Sequence, residues 1–539
     1  MSQQIEKIWL VTREYAGIAE AGGVKNVACS LAEGLVSQKE NVTVFIPRYG
    51  SVSLSSNPLF SGEVRINDRT YPVSFSETIL HGVDIIFIES PIFAEKHDVY
   101  VYTEEEVGVI PGAVRGKGHS DVHTMNMLFQ KAVLEYARIR GTAPDILHGQ
   151  DAHTAFLPAL IRTESGYSDI FSKTASAVTI HNAGPGYRQE ISGGLSCASS
   201  ITGFPESILQ KAMLNGNIEP FLLAAEYGTL TTVSPWYADE LTSRSFDDIT
   251  QGLSGELERR GIRITGITNG IDFYRYDPVD IINSLLPVQF NPESGDLAGK
   301  YKCRERFLWA LDALSSIPTI KTYGNMEYDP GAVYCVYHGR LAWQKGIDVL
   351  ERSARMVLDT LAESRFVVLG QGDPGLEDML TQTASEYPGR FLFMNGYERS
   401  LARLVVAAAD FIILPSLFEP CGLEDYIGQI YGTLPIAHAV GGLQKILDGQ
   451  NGFLYRTQSP EEHPYILAET ILNVCRPVVK AGGEGCAALT EYRKMIAFAS
   501  DYVRRYCNWD TIISEKYIPL YKEIYKKNEA KSPEVYIAK

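Results

Sequence analysis

A chain of 539 residues, 45% hydrophobic and 21% charged, has enough apolar material for two or more buried cores, and with no long low-complexity run it reads as globular. Its net charge of −16 argues against nucleic acid or an acidic membrane as a partner. The start MSQQIEKIWL has no cationic, apolar leader, no stretch of 18 apolar residues occurs, and the eight cysteines show no metal spacing, so the expectation is a cytoplasmic protein with reduced thiols and no metal.

In chain order, short and nearly continuous apolar runs recur, each leading into a helical pattern. The first, KIWLVTRE (7–14), leads through Gly22 and Gly23 into a helix with Val24, Val27, Ala28, Leu31 and Leu35 on one face. Strand, glycine turn and helix start form a backbone arrangement suited to an anion, because helix N-terminal N–H groups point outward. The residue entering the turn is nevertheless an acid, Glu20. Further strands are predicted at 42–47, 83–90, 145–150, 176–182 and 229–234, then at 332–340, 365–372, 390–397, 410–416 and 434–440. Runs apolar on both faces suit parallel strands covered by helices on both sides. The polar, turn-rich NPESGDLAGKYKCRE (291–305) is the expected boundary. The expected class is α/β, with two Rossmann-like doubly wound parallel-sheet domains, an interdomain cleft, and ligands beyond the carboxyl ends of the strands.

The residues after those strands carry the candidate chemistry. In the first half they are Asp151 and His153 in HGQDAH, His181 and Asn182 in IHNAG, and Asn269 and Asp272 in TNGID. Any one of these is an ordinary structural polar group; several facing one cleft suggest more. In HGRLAWQKGIDVL (338–350), Arg340 ends a strand and Lys345 begins a helix with Ile347, Leu350, Ala354 and Val357 on its apolar face. Two cations so placed can reach one anionic group, although a pair of surface cations fits the spacing equally well. LGQGDPGLEDML (369–380) is a weaker glycine turn. In PSLFEPCGLEDY (415–426), Pro420 and Gly422 fix Glu419 just past a strand, as a carboxylate for sugar hydroxyls or as a solvated loop residue. HAVGGLQKI (438–446) adds a second Gly-Gly. Together these are the parts of a nucleotide-sugar site, with Arg340 and Lys345 in the place of a metal.

The motifs EAGGVKNV, HGQDAH, TIHN, TTVSPWYADEL, GITNGID, HGRLAWQKGIDVL, LGQGDPGLED, PSLFEPCGL and YGTLPIAHAVGGL, in this order, resemble the bacterial glycogen synthases and plant starch synthases, retaining glycosyltransferases of the GT-B type. The resemblance runs from about Lys7 to Tyr525. It implies an acceptor-side domain over 1–290, a nucleotide-sugar domain over 291–510, and a last helix, 511–539, crossing back to the first domain. Carried over by position, it makes Arg340 and Lys345 the pair that neutralises the diphosphate, Glu419 the carboxylate at the donor sugar, and His181 the residue near the anomeric centre. Asp151 and Asn269 would line the sugar or acceptor side, and Gly22 and Gly23 would lend backbone to the donor. Asn182, Gly422, Leu423, Gly441 and Gly442 complete the implied substrate-binding set. The implied reaction moves glucose from ADP-glucose, or else UDP-glucose, to the 4-hydroxyl of an α-glucan with retention, with no metal or organic cofactor and no nucleic-acid or membrane partner. Alternatives are a retaining glycosyltransferase with another nucleotide sugar, or a weak homologue that binds glucan or regulates a partner.

Departures cluster near the implied site. Glu20 stands for the family's lysine, Asn26 for an acid, Ala152 for an aromatic residue, Glu424 for Thr or Ser, and Lys445 for an acid. Lys25, about a turn and a half along a helix from Glu20, is expected on the opposite side. Glu20 is therefore expected to pair across the cleft with Lys445.

Overall fold

The computed structural model describes residues 5–311 and 317–531. It contains two compact units, one running to Thr268 and resuming at Trp509, the other Asn269–Asn508. The boundary expected at residue 290 falls inside the second unit, and the expected linker shows why. Ala298–Trp309 is a helix whose Lys300 and Arg304 are buried. Lys300 Nζ donates to the Ala407 and Tyr431 carbonyls and to Thr433 Oγ1. Arg304 donates to the Ala408 carbonyl and pairs with Asp410 at 2.8 Å. Residues that look solvated are thus internal anchors, tolerated in the core because each charge has partners.

The first unit holds strands β1 (Ile8–Val11), β2 (Val42–Pro47), β3 (Asn57–Ile66), β4 (Arg69–Leu80), β5 (Val83–Glu89), β6 (Ile146–Gln150), β7 (Ala175–Ile180), a small hairpin of β8 (Met213–Leu214) and β9 (Asn217–Ile218), β10 (Thr229–Thr232) and β11 (Ile264–Gly266). Its sheet runs β11-β10-β7-β6-β1-β2-β5-β4-β3. The strands from β11 to β5 are parallel, and β4 and β3 are antiparallel. β1, β6 and β7 are buried along their whole length, as the continuous apolar runs require. The chain winds outward from β1 to β2 and β5, then returns to add β6, β7 and β10 on the other side. That puts the topological switch point between β1 and β6. The helix Ile518–Lys531 belongs to this unit: Tyr521 OH meets His148 Nδ1 at 2.8 Å, and Arg162 donates to Asn528 at 2.7 Å.

The second unit holds β12 (Ile320–Gly324), β13 (Val333–His338), β14 (Ser364–Gly370), β15 (Phe391–Gly396), β16 (Phe411–Leu414), β17 (Leu434–His438) and β18 (Phe453–Tyr455), in the order β12-β15-β14-β13-β16-β17-β18. Among these described strands only β12 is antiparallel to its neighbour. The switch point lies between β13 and β16. Lys345 does not begin the following helix; it closes a 3-10 turn, Trp343–Lys345, and the helix starts at Ile347. Gly346 separates the two with φ +64°, and a Cβ there would lie 2.2 Å from the Pro415 carbonyl oxygen, so the loops after β13 and β16 are in close backbone contact. Among the described residues no helix is long and apolar enough to cross a membrane.

Candidate active site

At the second switch point the loops after β13 and β16 bring two expected residues together. Lys345 Nζ donates to Glu419 Oε2 at 2.5 Å, and Ser416 Oγ donates to the same oxygen at 3.1 Å. The turn carrying Lys345 is fixed to the Glu419 loop by its neighbour. Leu417 N–H donates to the Gln344 carbonyl at 2.8 Å, and Gln344 Nε2 donates to the Phe418 carbonyl at 3.2 Å. The Lys345–Glu419 pair is therefore held from both backbones. Arg340 is exposed on the same loop, its carbonyl accepting from Tyr337 OH at 2.8 Å.

The second Gly-Gly joins this site through its backbone. Gly442 N–H donates to the Glu419 carbonyl at 2.7 Å, and a Cβ on Gly442 would stand 2.3 Å from Cys421 Cα. Gly442→Ala should push the two loops apart and destabilise the unit by about 1–3 kcal/mol, read as a lower urea midpoint at similar slope. A wild-type midpoint would show that the contact relaxes freely. Gly441 and Gly422 take left-handed backbone, with φ of +40° and +73°, and Leu423 immediately precedes the helix Glu424–Ile430 without a side-chain cap.

Lys445 is not available to Glu20. It is buried, pairs with Asp425 at 2.9 Å, and donates to the carbonyls of Cys421 (2.7 Å), Gly422 (3.0 Å) and Gly442 (3.1 Å). Burial alone would discharge it, but the Asp425 carboxylate outweighs that and raises its pKa. Its ammonium ties the Glu419–Gly422 turn to the glycine loop. Asn269, expected beside Asp151, lies in the second unit, its backbone N–H toward the Cys421 thiol and its buried Oδ1 without a partner among the described residues.

Glu424, at the start of its helix, meets His338 Nδ1 at 3.0 Å, and Tyr397 stacks on the same imidazole at 6.2 Å. Burial opposes a charged His338, yet the Glu424 carboxylate raises its pKa above 6.5. The only sequence signal for His338 and Tyr397 was their position at strand ends.

In the first unit the glycine loop is occupied by the protein itself. Glu14, buried just past β1, accepts the N–H groups of Ala21 (3.3 Å) and Gly22 (2.5 Å), while Tyr100 OH donates to its other oxygen at 2.5 Å. The Gly22 N–H expected to lend itself to a donor is thus given to a carboxylate. Gly23 has open space around its Cα and precedes the helix Val24–Ser37. Glu20 accepts from Gly17 N–H at 2.7 Å and pairs with Lys25 at 2.8 Å, so the expected pairing with Lys445 is replaced by a local one.

Across the switch point, Asp151 has φ +66°, a strained value for a side chain other than glycine. Its carboxylate accepts from His181 N–H at 3.3 Å. Burial, with the nearby Glu14 charge adding to it, pushes Asp151 up to about 8. His181 Nε2 meets Gln150 Oε1 at 2.8 Å, and burial lowers its pKa to about 4, so its imidazole is neutral at pH 7. His153 is buried and stacked on Tyr100 at 5.1 Å, its Nε2 without a partner among the described residues. Asn182 Oδ1 accepts from Gly184 N–H, a turn-forming bond, and Asp272 caps a short helix through Arg275 N–H. Among the described residues, no group of three or more His, Cys, Asp or Glu is placed to hold a metal.

Two parallel-sheet units, each with polar side chains gathered at a switch point, are the architecture shared by glycosyltransferases of the GT-B class. The fold is matched by the catalytic domain of starch synthase IV from Arabidopsis thaliana, a structure bound to ADP and acarbose, with TM-score 0.75, 22% identity, and coverage of 98% of this chain and 100% of that one. Residues 7–260 match the starch synthase catalytic domain and residues 332–475 the glycosyl transferases group 1 model. The chain is 28% identical over 490 residues to the glycogen synthase of Photobacterium profundum, covering 87% of this chain and 88% of that protein. It is 29% identical over 468 residues to the glycogen synthase of Streptococcus pneumoniae, covering 84% and 89%. The chain is thus similar to the glycogen synthases and starch synthases over most of its length.

Proposed function

We propose that this protein is a retaining glucosyltransferase that moves glucose from a nucleotide sugar, ADP-glucose before UDP-glucose, to the 4-hydroxyl at the end of an α-1,4-glucan. The observation that carries the reading is the Lys345–Glu419 pair held at the second switch point. The preference for ADP-glucose draws on the ADP in the starch synthase IV structure. In the reaction the bond from the sugar C1 to the diphosphate oxygen breaks and a bond from C1 to the acceptor O4 forms on the same face. The acceptor proton leaves on the diphosphate. Lys345 and Arg340 neutralise the diphosphate, Glu419 holds the donor sugar, and neutral His181 serves the anomeric centre as a hydrogen-bonding group. Asp151, kept protonated by burial, serves as a donor to a sugar hydroxyl. Incubation with ADP-glucose or UDP-glucose and glycogen, following nucleotide release, tests the reading: release that depends on glycogen supports it, and none with either donor removes it.

A second reading, a weakened glucan-binding homologue, draws on the first unit's loop. Its amides are taken by Glu14, and its neighbouring cation, Lys25, by Glu20.

The His338–Glu424 pair gives the reading a pH dependence. The pKa of His338 is raised, so the charged pair is fully present below 6.5 and is lost as pH rises through the higher folded value. Above it, Glu424 keeps an uncompensated negative charge near the proposed diphosphate. The KM for the nucleotide sugar should rise severalfold as pH climbs from 6.5 through that raised value, and stay level in Glu424→Gln. A wild-type KM that is flat over this range would dissociate the pair from donor binding.

A further inference from the structure

We propose that Gln150, in the HGQDAH motif, is a positioning residue for the transfer. Its side-chain oxygen fixes the imidazole of His181 as the Nε2–H tautomer, so that Nδ1 offers a lone pair to a hydroxyl of the transferred sugar. Gln150 ends β6 and stands beside Thr179 of β7, the strand that His181 follows. Side chains two apart along a strand share a face, so Gln150, Thr179 and His181 lie on one side of the sheet. Gln150 Oε1 meets His181 Nε2 at 2.8 Å, and Gln150 is only 2% exposed. Both backbones are held as well. Asp151 N–H donates to the Thr179 carbonyl at 2.8 Å, and His181 N–H donates to Asp151 Oδ1 at 3.3 Å.

An amide oxygen has lone pairs and no proton to give, so the hydrogen in the bond between them belongs to His181 Nε2. A neutral imidazole carries one N–H, which leaves Nδ1 an acceptor. Charge does not compete for this choice. The titratable groups that face the ring are His148, His153 and Asp151. Burial keeps both histidines neutral, and Asp151, pushed up to about 8, is largely protonated at pH 7. Burial takes His181 itself to about 4, so the ring is uncharged and its bond to Gln150 selects the tautomer. The other end of the amide gives a second observation. Gln150 Nε2 is buried with no partner among the described residues. A buried donor left unpaired costs stability, and a sugar oxygen would satisfy it. That the ligand is a sugar rests on the proposed function; the tautomer of His181 does not.

NMR of the full-length protein labelled with nitrogen-15 in its histidines reads the ring directly, the His181 signals being assigned by their loss in His181→Phe. At pH 7 the wild type should show Nε2 protonated and Nδ1 bare, and the Nδ1 signal should move when ADP-glucose is added. Gln150→Met keeps the length of the side chain and removes the acceptor. In that variant the two nitrogen signals should approach each other as both tautomers are sampled. Its kcat/KM for ADP-glucose should fall about tenfold, the size of one lost hydrogen bond, while the KM for glycogen stays at the wild-type value. A wild-type ring protonated at Nδ1, an Nδ1 signal untouched by ADP-glucose, or an unchanged pattern in Gln150→Met overturns the proposal. Gln150→Leu with a wild-type melting curve guards against a misfolded Met variant. The expected pattern with no glucosyl transfer by the wild type would keep the Gln150–His181 arrangement and remove the functional reading instead.

Discussion

Lys345→Ala is expected to lower kcat by roughly tenfold to several-hundredfold. The lost interaction is a charge-assisted contact of about 1.5–3 kcal/mol in the ground state, and more where charge develops on the leaving diphosphate. Lys345 lies at the second switch point with its ammonium 2.5 Å from Glu419, on a turn fastened to the Glu419 loop by Gln344. The substitution therefore removes a charge without loosening the loop. Lys345→Arg, which keeps the charge but changes its shape, should recover part of the rate. Turnover of Lys345→Ala at the wild-type value would return the residue to an ordinary loop cation.

Glu419→Gln is the second large effect. The amide keeps the volume and can still accept from Ser416 Oγ, so the thermal midpoint should stay close to wild type. The negative charge is lost, and with it the electrostatic support of the donor sugar and the strong pairing with Lys345. A rate loss on the order of a hundredfold or more is expected, read from nucleotide release by protein whose melting curve is unchanged. A folded Glu419→Gln protein with full activity would make Glu419 a structural partner of Lys345 only.

The parallel strands were legible because strands buried on both faces must be apolar throughout, as in VTVFIP and DFIILPS. The β3–β4 hairpin was not, because NPLFSGEVRI is half exposed and alternates irregularly, so no continuous apolar run marks it. The unit boundary was misplaced because Lys300 and Arg304 look solvated in sequence and are buried in the fold. The closeness of Lys345 and Glu419 was legible because they lie in the loops after β13 and β16, neighbouring strands at the switch point. Glu14 was hidden: it reads as the tail of a strand, and nothing local says that it turns to take the loop's own amides. The partner of Glu20 was misjudged by applying a helical wheel to a residue ahead of the helix. The chain folds back through Tyr15 and Ala19 before Val24, and that brings Lys25 to Glu20.

The most direct test of the account is NMR of maltoheptaose after incubation with the protein and ADP-glucose labelled with carbon-13 at C1 of the glucose. The account predicts a new labelled α-1,4 anomeric signal at the chain end, appearing in step with ADP release and growing more slowly with Lys345→Ala, in proportion to its lower kcat. A folded wild-type protein that leaves the label entirely in ADP-glucose, or releases it as free glucose without extending the chain, would contradict it.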